Sequence, residues 1–257
     1  MITKSEAIIL KTMKFRESSK ILTLYTREYG KVSVIAKGAR DPKSKFGSVL
    51  EPMNYVLAVF YRKENRDLQL LTQCDMMKSF KRLSEDMERM RAAMSIVELV
   101  DVVAHAEERN EPLFHTMVGC LEAINDATKN ALQVLYLFEM RLSDILGFRP
   151  NFSTCFSCGR PMDAKTAGTN GVELYLNGGG VFCVYCMHKA LGQGTISLGA
   201  LKVLQRLQGM QEMGAVTRLS FPPQVRNEVA GTLRRFLQSH IDGLNRLKAE
   251  EVFAAIA

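Results

Sequence analysis

Cys155-Phe-Ser-Cys158 and Cys183-Val-Tyr-Cys186 are two Cys-x-x-Cys pairs, and 24 residues separate Cys158 from Cys183. Two such pairs indicate a zinc site, because each pair supplies two thiolates from one tight turn. Between them, two strand-like runs at 172–176 and 181–182 flank the turn-forming stretch Asn177-Gly-Gly-Gly180. A hairpin there would carry the second pair back to the first. We therefore predict one Zn²⁺ per chain, and four protein ligands would make it structural.

Other uses of these cysteines are less consistent with the sequence. Disulfide frameworks belong to small secreted chains, whereas this chain has 257 residues and its start lacks the basic and then apolar order of a signal peptide. His188 could replace a thiolate, but four cysteines are already paired. His105-Ala106-Glu107 resembles part of a zinc-deaminase signature. In that arrangement Cys183 and Cys186 would have no role, so we disfavour it.

Positive charge is concentrated in the first third of the chain. The net charge is +7 overall, and residues 1–80 hold 15 Lys or Arg against 8 Asp or Glu, whereas residues 81–257 hold 19 of each. Such asymmetry favours a polyanionic partner, nucleic acid before membrane, over a diffuse solvated face. The sequence has no apolar run near the roughly 20 residues of a membrane span and no Gly-rich phosphate loop. These features predict a cytoplasmic protein that does not itself hydrolyse ATP.

Residues 1–75 are typical of β structure. Five short runs rich in branched and aromatic residues are separated by polar or glycine-containing turns; they lie at 7–10, 21–25, 32–35, 55–61 and 68–71. Five strands in this length predict a small barrel of the OB type, although an SH3-like barrel would give a similar pattern. OB barrels commonly bind single-stranded nucleic acid across one face.

Two predicted loops of this barrel carry the candidate DNA-binding cations. The longest loop, 37–47, contains Gly38, Pro42 and Gly47, which disfavour regular structure, and one large aromatic residue, Phe46. A basic loop of this kind can follow a phosphate backbone. Cations of the neighbouring loop could close the same face. The seven candidates are Lys14, Arg16, Lys20, Lys37, Arg40, Lys43 and Lys45.

From about residue 80 the apolar period becomes helical. The first helix is expected to bury Leu83, Met87, Met90, Met94 and Val97. Further helices are predicted from Pro112, over 130–146, after Ser197 as cap, and from Pro222-Pro223 as the last helix. The fold class is therefore α+β. An OB-type domain (1–80) precedes an α-helical domain (81–257), into which a zinc-binding module (151–190) is inserted. Cys74 and Cys120 are expected to be free buried thiols.

Several stretches together resemble the bacterial RecO recombination-mediator family. They are Arg16-Glu17, Ile21-Leu-Thr-Leu-Tyr-Thr26, Tyr29-Gly-Lys31, Lys37-Gly-Ala-Arg40, Glu51-Pro52 and the two late cysteine pairs. The similarity runs over nearly the full length and is densest in residues 1–55. Cysteine pairs vary within this family, so the zinc prediction depends on the residues of this chain.

The resemblance implies an OB barrel, a helical body, a zinc-ribbon insertion and a nucleoid-associated role in DNA repair by the RecF pathway. It implies binding to single- and double-stranded DNA, annealing of complementary strands, and contacts with RecR and with the acidic C-terminal tail of single-stranded DNA-binding protein (SSB). Together these activities would load RecA onto SSB-coated DNA. None of them is a covalent reaction, so the chain is not expected to be an enzyme. Arg141 and Arg149 are our candidates for the SSB tail. The alternative is a zinc-ribbon scaffold whose basic barrel binds RNA or protein.

Overall fold

The computed structural model describes residues 1–63, 66–168, 171–190, 192–244 and 247–254. Two compact units divide the chain. The first comprises Met1–Asp126 with Arg246–Ala257, and the second comprises Ala127–Asn245. The domain boundary predicted at residue 80 lies inside the first unit, just after the last barrel strand.

A closed five-stranded barrel forms most of the first unit. Its strands are β1 (Ile2–Phe15), β2 (Ser19–Thr26), β3 (Gly30–Ala36), β4 (Tyr55–Tyr61) and β5 (Leu68–Lys78). They are ordered β1-β2-β3-β5-β4, and β4 pairs back to β1. β3 and β5 are parallel and the other pairs are antiparallel. The five predicted strands are confirmed, and their order is that of an OB-like barrel.

Alternation of buried and partly exposed residues produces the barrel core. In β3 every second residue is buried, from Gly30 through Val32 and Val34 to Ala36, as the two-residue period of a strand requires. Phe46 is also buried in this core. The basic loop is therefore anchored at its end by an aromatic side chain, just before a 3-10 turn at Gly47–Leu50.

Three helices complete the first unit: α1 (Met87–Val103), α2 (Glu111–Asp126) and, after the second unit, α7 (Lys248–Ala254). The sequence did not lead us to expect α7. The carboxylate of Glu98 in α1 accepts hydrogen bonds from the backbone N–H groups of Lys248 (2.8 Å) and Ala249 (3.1 Å). These bonds satisfy donors at the start of α7 that lack partners within the helix.

The predicted buried face of α1 is partly wrong. Leu83 lies in a separate 3-10 turn, and α1 begins after Asp86, whose side chain caps it by accepting from Glu88 and Arg89 N–H groups. Met87 and Met94 are 54% and 37% exposed. Small side chains explain the difference: Ala92 and Ala93 join the larger apolar residues of the buried face, and a search for large apolar residues overlooks them.

The second unit combines three longer helices with a small sheet. The helices are α3 (Leu132–Ile145), α5 (Leu198–Gly209) and α6 (Pro223–His240), and α4 (Ala164–Ala167) is a single turn. The sheet is ordered β6-β8-β7-β9. Its strands are β6 (Asn151–Cys155), β7 (Val172–Tyr175), β8 (Gly180–Phe182) and β9 (Thr195–Ile196). The β7–β8 pair is the predicted hairpin, and Ser197 caps α5 as expected.

A buried ion pair joins two helices of this unit. The Arg234 guanidinium on α6 donates to the Glu139 carboxylate on α3 at 2.9 Å, and both side chains are largely excluded from solvent. α3 is buried over most of its surface, as its apolar composition predicted. Gly147, with φ of +86°, follows the end of α3, in a left-handed conformation that glycine adopts readily.

Candidate metal centre and nucleic-acid surface

The sheet of the second unit brings the two cysteine pairs together. Cys155 is the last residue of β6, and Cys183 directly follows β8. These two strands are parallel neighbours, with Cys155 in register with Val181. Each pair then forms a tight turn, closed by a hydrogen bond from Gly159 N–H to the Cys155 carbonyl and another from Cys186 N–H to the Cys183 carbonyl. We call these two turns the knuckles.

The four sulfur atoms fit a tetrahedral Zn²⁺ site. All four ligand atoms of Cys155, Cys158, Cys183 and Cys186 lie within 4.8 Å of one another. Zn–S bonds of about 2.3 Å in a regular tetrahedron place sulfur atoms about 3.8 Å apart, and the Cys158 and Cys183 Sγ atoms are 3.8 Å apart. Within the described residues, His188 is not part of this cluster. The cysteine cluster can therefore hold one metal ion.

Backbone donors already favour a thiolate at one corner of the cluster. Burial disfavours ionisation of Cys155, but hydrogen bonds from the backbone of Cys183, Cys158 and Ser157 outweigh it and lower the pKa of this thiol to about 6. Burial raises the pKa of Cys183 to about 12, and the neighbouring Cys155 adds to the effect. The Cys155 thiol therefore ionises before the Cys183 thiol. A divalent cation would favour the thiolate at all four positions.

The deaminase arrangement finds no counterpart in the geometry. His105 lies in the segment after α1, where its backbone carbonyl accepts a hydrogen bond from Lys31 N–H at 3.1 Å and its side chain is exposed. Among the described residues, the metal-binding group consists of the four cysteines. Cys74 and Cys120 are both buried, as predicted.

On the barrel, the structure brings the two basic loops together. Arg40 in the long loop donates its side-chain Nη1–H to the Arg16 carbonyl at 2.8 Å and its backbone N–H to the Ser18 carbonyl at 2.9 Å. Lys14 and Lys20 lie opposite each other in the β1–β2 hairpin, and the loop of that hairpin contains Arg16. Lys45 donates to the Thr72 carbonyl at 2.6 Å. Lys37 and Lys43 are exposed in the same long loop.

Carboxylates form ion pairs with several other barrel cations but with few of this group. Asp101 on α1 pairs with both Lys11 and Lys31, and Glu111 on α2 pairs with Arg27. Arg62 and Lys78 likewise pair with Glu107 and Glu122. Among the seven candidate cations, the ion pair found within the described residues joins Lys20 to Glu51 at 3.0 Å. We call the seven residues the basic loop surface. Six of them have no ion pair within the described residues, and elsewhere on the barrel the same holds for Lys4, Lys63 and Arg66.

The two arginines chosen for the SSB tail differ in how they are used. Arg141 on α3 donates to the Met210 carbonyl at 3.0 Å and to the Gln211 carbonyl. Its guanidinium therefore binds backbone acceptors just after α5. Arg149 is half exposed and lies 3.6 Å from the Asp144 carboxylate, an exposed pair of little strength. Arg149 is the more accessible cation of the two.

Aromatic side chains that lie against arginines, one on the barrel and one at the knuckles, were not predicted from the sequence. The Arg16 guanidinium lies over the Phe15 ring, 5.2 Å from its centroid, and Arg160 lies over Tyr185 at 4.9 Å. Tyr185 and Phe156 are the aromatic residues inside the two Cys-x-x-Cys motifs. Their exposure could have been predicted from the sequence, because an aromatic residue between two metal ligands lies on a tight surface turn that offers little apolar cover.

None of the helices among the described residues is both long and apolar enough to span a membrane.

Two family models match the chain: Recombination protein O N terminal over residues 1–80 and Recombination protein O C terminal over residues 84–250. The chain is 30% identical over 255 residues to DNA repair protein RecO of Chloroherpeton thalassium, covering 98% of both chains. It is 32% identical to that of Salinibacter ruber, over 99% of this chain and 94% of the relative. The chain therefore belongs to the RecO family of DNA repair proteins.

Proposed function

We propose that this protein is a recombination mediator that binds single- and double-stranded DNA through the basic loop surface and anneals complementary strands. The observation that carries the proposal is the distribution of charge on the barrel. Cations near α1 and α2 are paired with carboxylates, whereas Lys14, Lys37 and Lys43 have no ion pair within the described residues. Uncompensated cations on an OB-type barrel suit a phosphate backbone, and binding of this kind is independent of base sequence.

Annealing needs two strands of like charge held close together. Cations that neutralise the phosphates of one strand also reduce its repulsion of the next, so a single basic surface can promote pairing. The contact between Arg40 and the Arg16 carbonyl supports this role, because it holds cations of both loops within one surface. No covalent step is required, so the proposed activity is not enzymatic.

We further propose that the metal is Zn²⁺, one per chain, and that it is structural. Four sulfur ligands leave no position for substrate or water. The ion would fix the knuckles to the sheet, and its binding would contribute directly to folding of this module.

In cells, the proposed partners are RecR and the acidic tail of SSB, and the joint outcome is RecA loading onto SSB-coated DNA. A nucleoid-associated, cytoplasmic location follows from these partners. An acidic tail requires a cation that is not already occupied. Arg149 satisfies this condition better than Arg141, whose guanidinium binds backbone carbonyls. The second unit would therefore recruit SSB while the barrel binds DNA.

A pair of variants tests both assignments. Changing Lys14, Lys37 and Lys43 to Ala should abolish fluorescent strand annealing but leave anisotropy binding of an isolated SSB tail peptide intact. Arg149→Ala should have the opposite effect, with Arg141→Lys as a control that keeps the charge. Normal annealing by the triple variant would exclude the basic loop surface as the DNA site. If instead the triple variant lost binding of RNA or a protein but not of DNA, the scaffold function would be favoured.

A further inference from the structure

The metal-binding knuckles expose aromatic side chains that the proposed DNA site does not use. Tyr185 is 59% exposed and Phe156 is 54% exposed, and Val184 and Met187 are also accessible. Rings of this size are normally buried or used in contacts with a partner. Their position between metal ligands fixes the backbone that carries them, so they are presented to solvent in a defined geometry.

Two contacts join the exposed side chains of one knuckle to those of the other. Arg160, which follows the first knuckle, places its guanidinium over the Tyr185 ring at 4.9 Å. Lys189, which follows the second knuckle, donates to the Ser157 hydroxyl at 3.0 Å. Phe156 is adjacent to Ser157 in the chain and packs edge-on against Tyr175, with ring centroids 4.6 Å apart. We call Phe156, Arg160, Tyr185 and Lys189 the knuckle surface.

Two cations beside the exposed rings, Arg160 and Lys189, are available for local contacts with single phosphates. Within the described residues, no ion pair neutralises Arg160 or Lys189. Asp163, the nearest carboxylate in sequence, accepts hydrogen bonds from the Lys165 and Thr166 backbone N–H groups as the cap of α4. Those bonds lower the pKa of Asp163. Its carboxylate therefore interacts with the backbone of α4 and forms no ion pair with Arg160 or Lys189 within the described residues.

We propose that the knuckle surface is a second nucleic-acid site, which binds unpaired bases of single-stranded DNA by stacking on Tyr185 and Phe156. Every base has a flat face, so stacking on aromatic side chains is tolerant of sequence. Arg160 and Lys189 lie where they can contact the phosphates of the stacked nucleotides. The choice of DNA as the nucleic acid rests on the proposed function, but the site is separate from the basic loop surface.

The charge of the metal module sets this site apart from the barrel. Residues 151–190 contain three Lys or Arg against two Asp or Glu. Zn²⁺ with four thiolates adds a net charge of about −2, so the module has almost no net attraction for a polyanion. Binding at the knuckle surface is therefore governed by stacking, and it depends weakly on salt, in contrast to phosphate binding by clustered cations.

The absence of tryptophan from the chain provides a direct test. Tyr185→Trp in the full-length zinc-loaded protein introduces a single indole at the knuckle surface, and base stacking should quench its fluorescence on titration with oligo(dT). Met87→Trp is the matched control, since Met87 is 54% exposed but lies on α1. We expect saturable quenching for Tyr185→Trp that persists at salt concentrations where most phosphate binding is lost, and none for Met87→Trp.

A binding series completes the test. Tyr185→Ala should weaken oligo(dT) binding about tenfold, as the loss of one stacked base does, whereas Tyr185→Phe should bind normally. Absence of quenching, or binding by Tyr185→Ala equal to wild type, would overturn the proposal. So would loss of a protein partner by Tyr185→Ala with DNA binding unchanged. Repeating the fluorescence titration of Tyr185→Trp with Lys14, Lys37 and Lys43 also changed to Ala separates the two sites. Quenching of the indole should survive this change whether or not the barrel assignment holds.

Discussion

Salt dependence of DNA binding provides a quantitative test of the basic loop surface. The variant changes Lys14, Lys37 and Lys43 to Ala, because these three cations have no ion pair among the described residues and their side chains are exposed. Arg40 and Lys45 are retained, since both donate to backbone carbonyls and their removal could disturb the loops. The loops should therefore keep their shape while losing charge.

Each lost phosphate contact reduces the slope of log affinity against log salt by about 0.7 on single strands. Three contacts correspond to a slope that is shallower by up to about 2. Between about 0.05 and 0.2 M salt, the affinity of the variant should therefore fall by a factor about 20-fold smaller than that of the wild type. Fluorescence anisotropy with a labelled single strand at several salt concentrations gives both slopes.

A matched control removes the same charge from elsewhere on the first unit. Lys11, Arg62 and Lys78 are each paired with a carboxylate, and changing them to Ala also lowers the net charge from +7 to +4. At least one side chain of each pair is well exposed. Ion pairs near the surface contribute about 0 to 1 kcal/mol to stability, so the control should fold. If the two triple variants showed the same slope, binding would depend on net charge and the reasoning from a local surface would fail.

Three further predictions concern the fold that presents these surfaces. Cys158→Ser should lose bound zinc and destabilise the second unit. Cys74→Ser, the control, should retain about one zinc per chain in metal analysis under reducing conditions. Retention of zinc by Cys158→Ser would exclude the four-cysteine site. Glu139→Ala should lower the free energy of unfolding by about 3 to 5 kcal/mol in denaturant titration, because it removes the Glu139 carboxylate from the buried Arg234 guanidinium. Replacing both residues by Met should restore most of the lost stability. An equal loss of stability in the double variant would contradict this reasoning. Asp86→Ala should cost about 1 kcal/mol through loss of the α1 cap, with Asp86→Asn nearly neutral; equal effects of the two would show that the cap is unimportant.

Features set by residues close together in sequence were predictable. The knuckles and the β7–β8 hairpin depend on short spacings and turn residues, so the sequence was sufficient to predict that Cys155 and Cys183 meet. The barrel strands were likewise visible in their two-residue alternation, although β1 and β5 extend further than the apolar runs suggested. Local patterns of this kind require no knowledge of tertiary packing.

The distribution of charge on the barrel was not predictable from sequence. Lys11 and Lys31 lie in the same basic N-terminal third as Lys37, but Asp101, which lies 90 residues after Lys11, forms ion pairs with both. Tertiary pairing thus decides which cations keep their charge available. A net charge counted along the chain gives the size of the excess, and the fold determines where the excess lies.

The two proposed DNA surfaces differ in a way that suits annealing. The basic loop surface consists of seven cations that act on phosphates, and Phe46, the aromatic residue of its long loop, is buried. A strand held there keeps its bases free to pair. Stacking at Tyr185 competes with pairing, so the knuckle surface must bind bases weakly enough to release them to a complementary strand. A stacking contribution of about 1 to 3 kcal/mol per base is comparable with the stacking gained on forming each base-pair step. The knuckle surface can therefore hold an unpaired strand, and duplex formation can remove the strand from it.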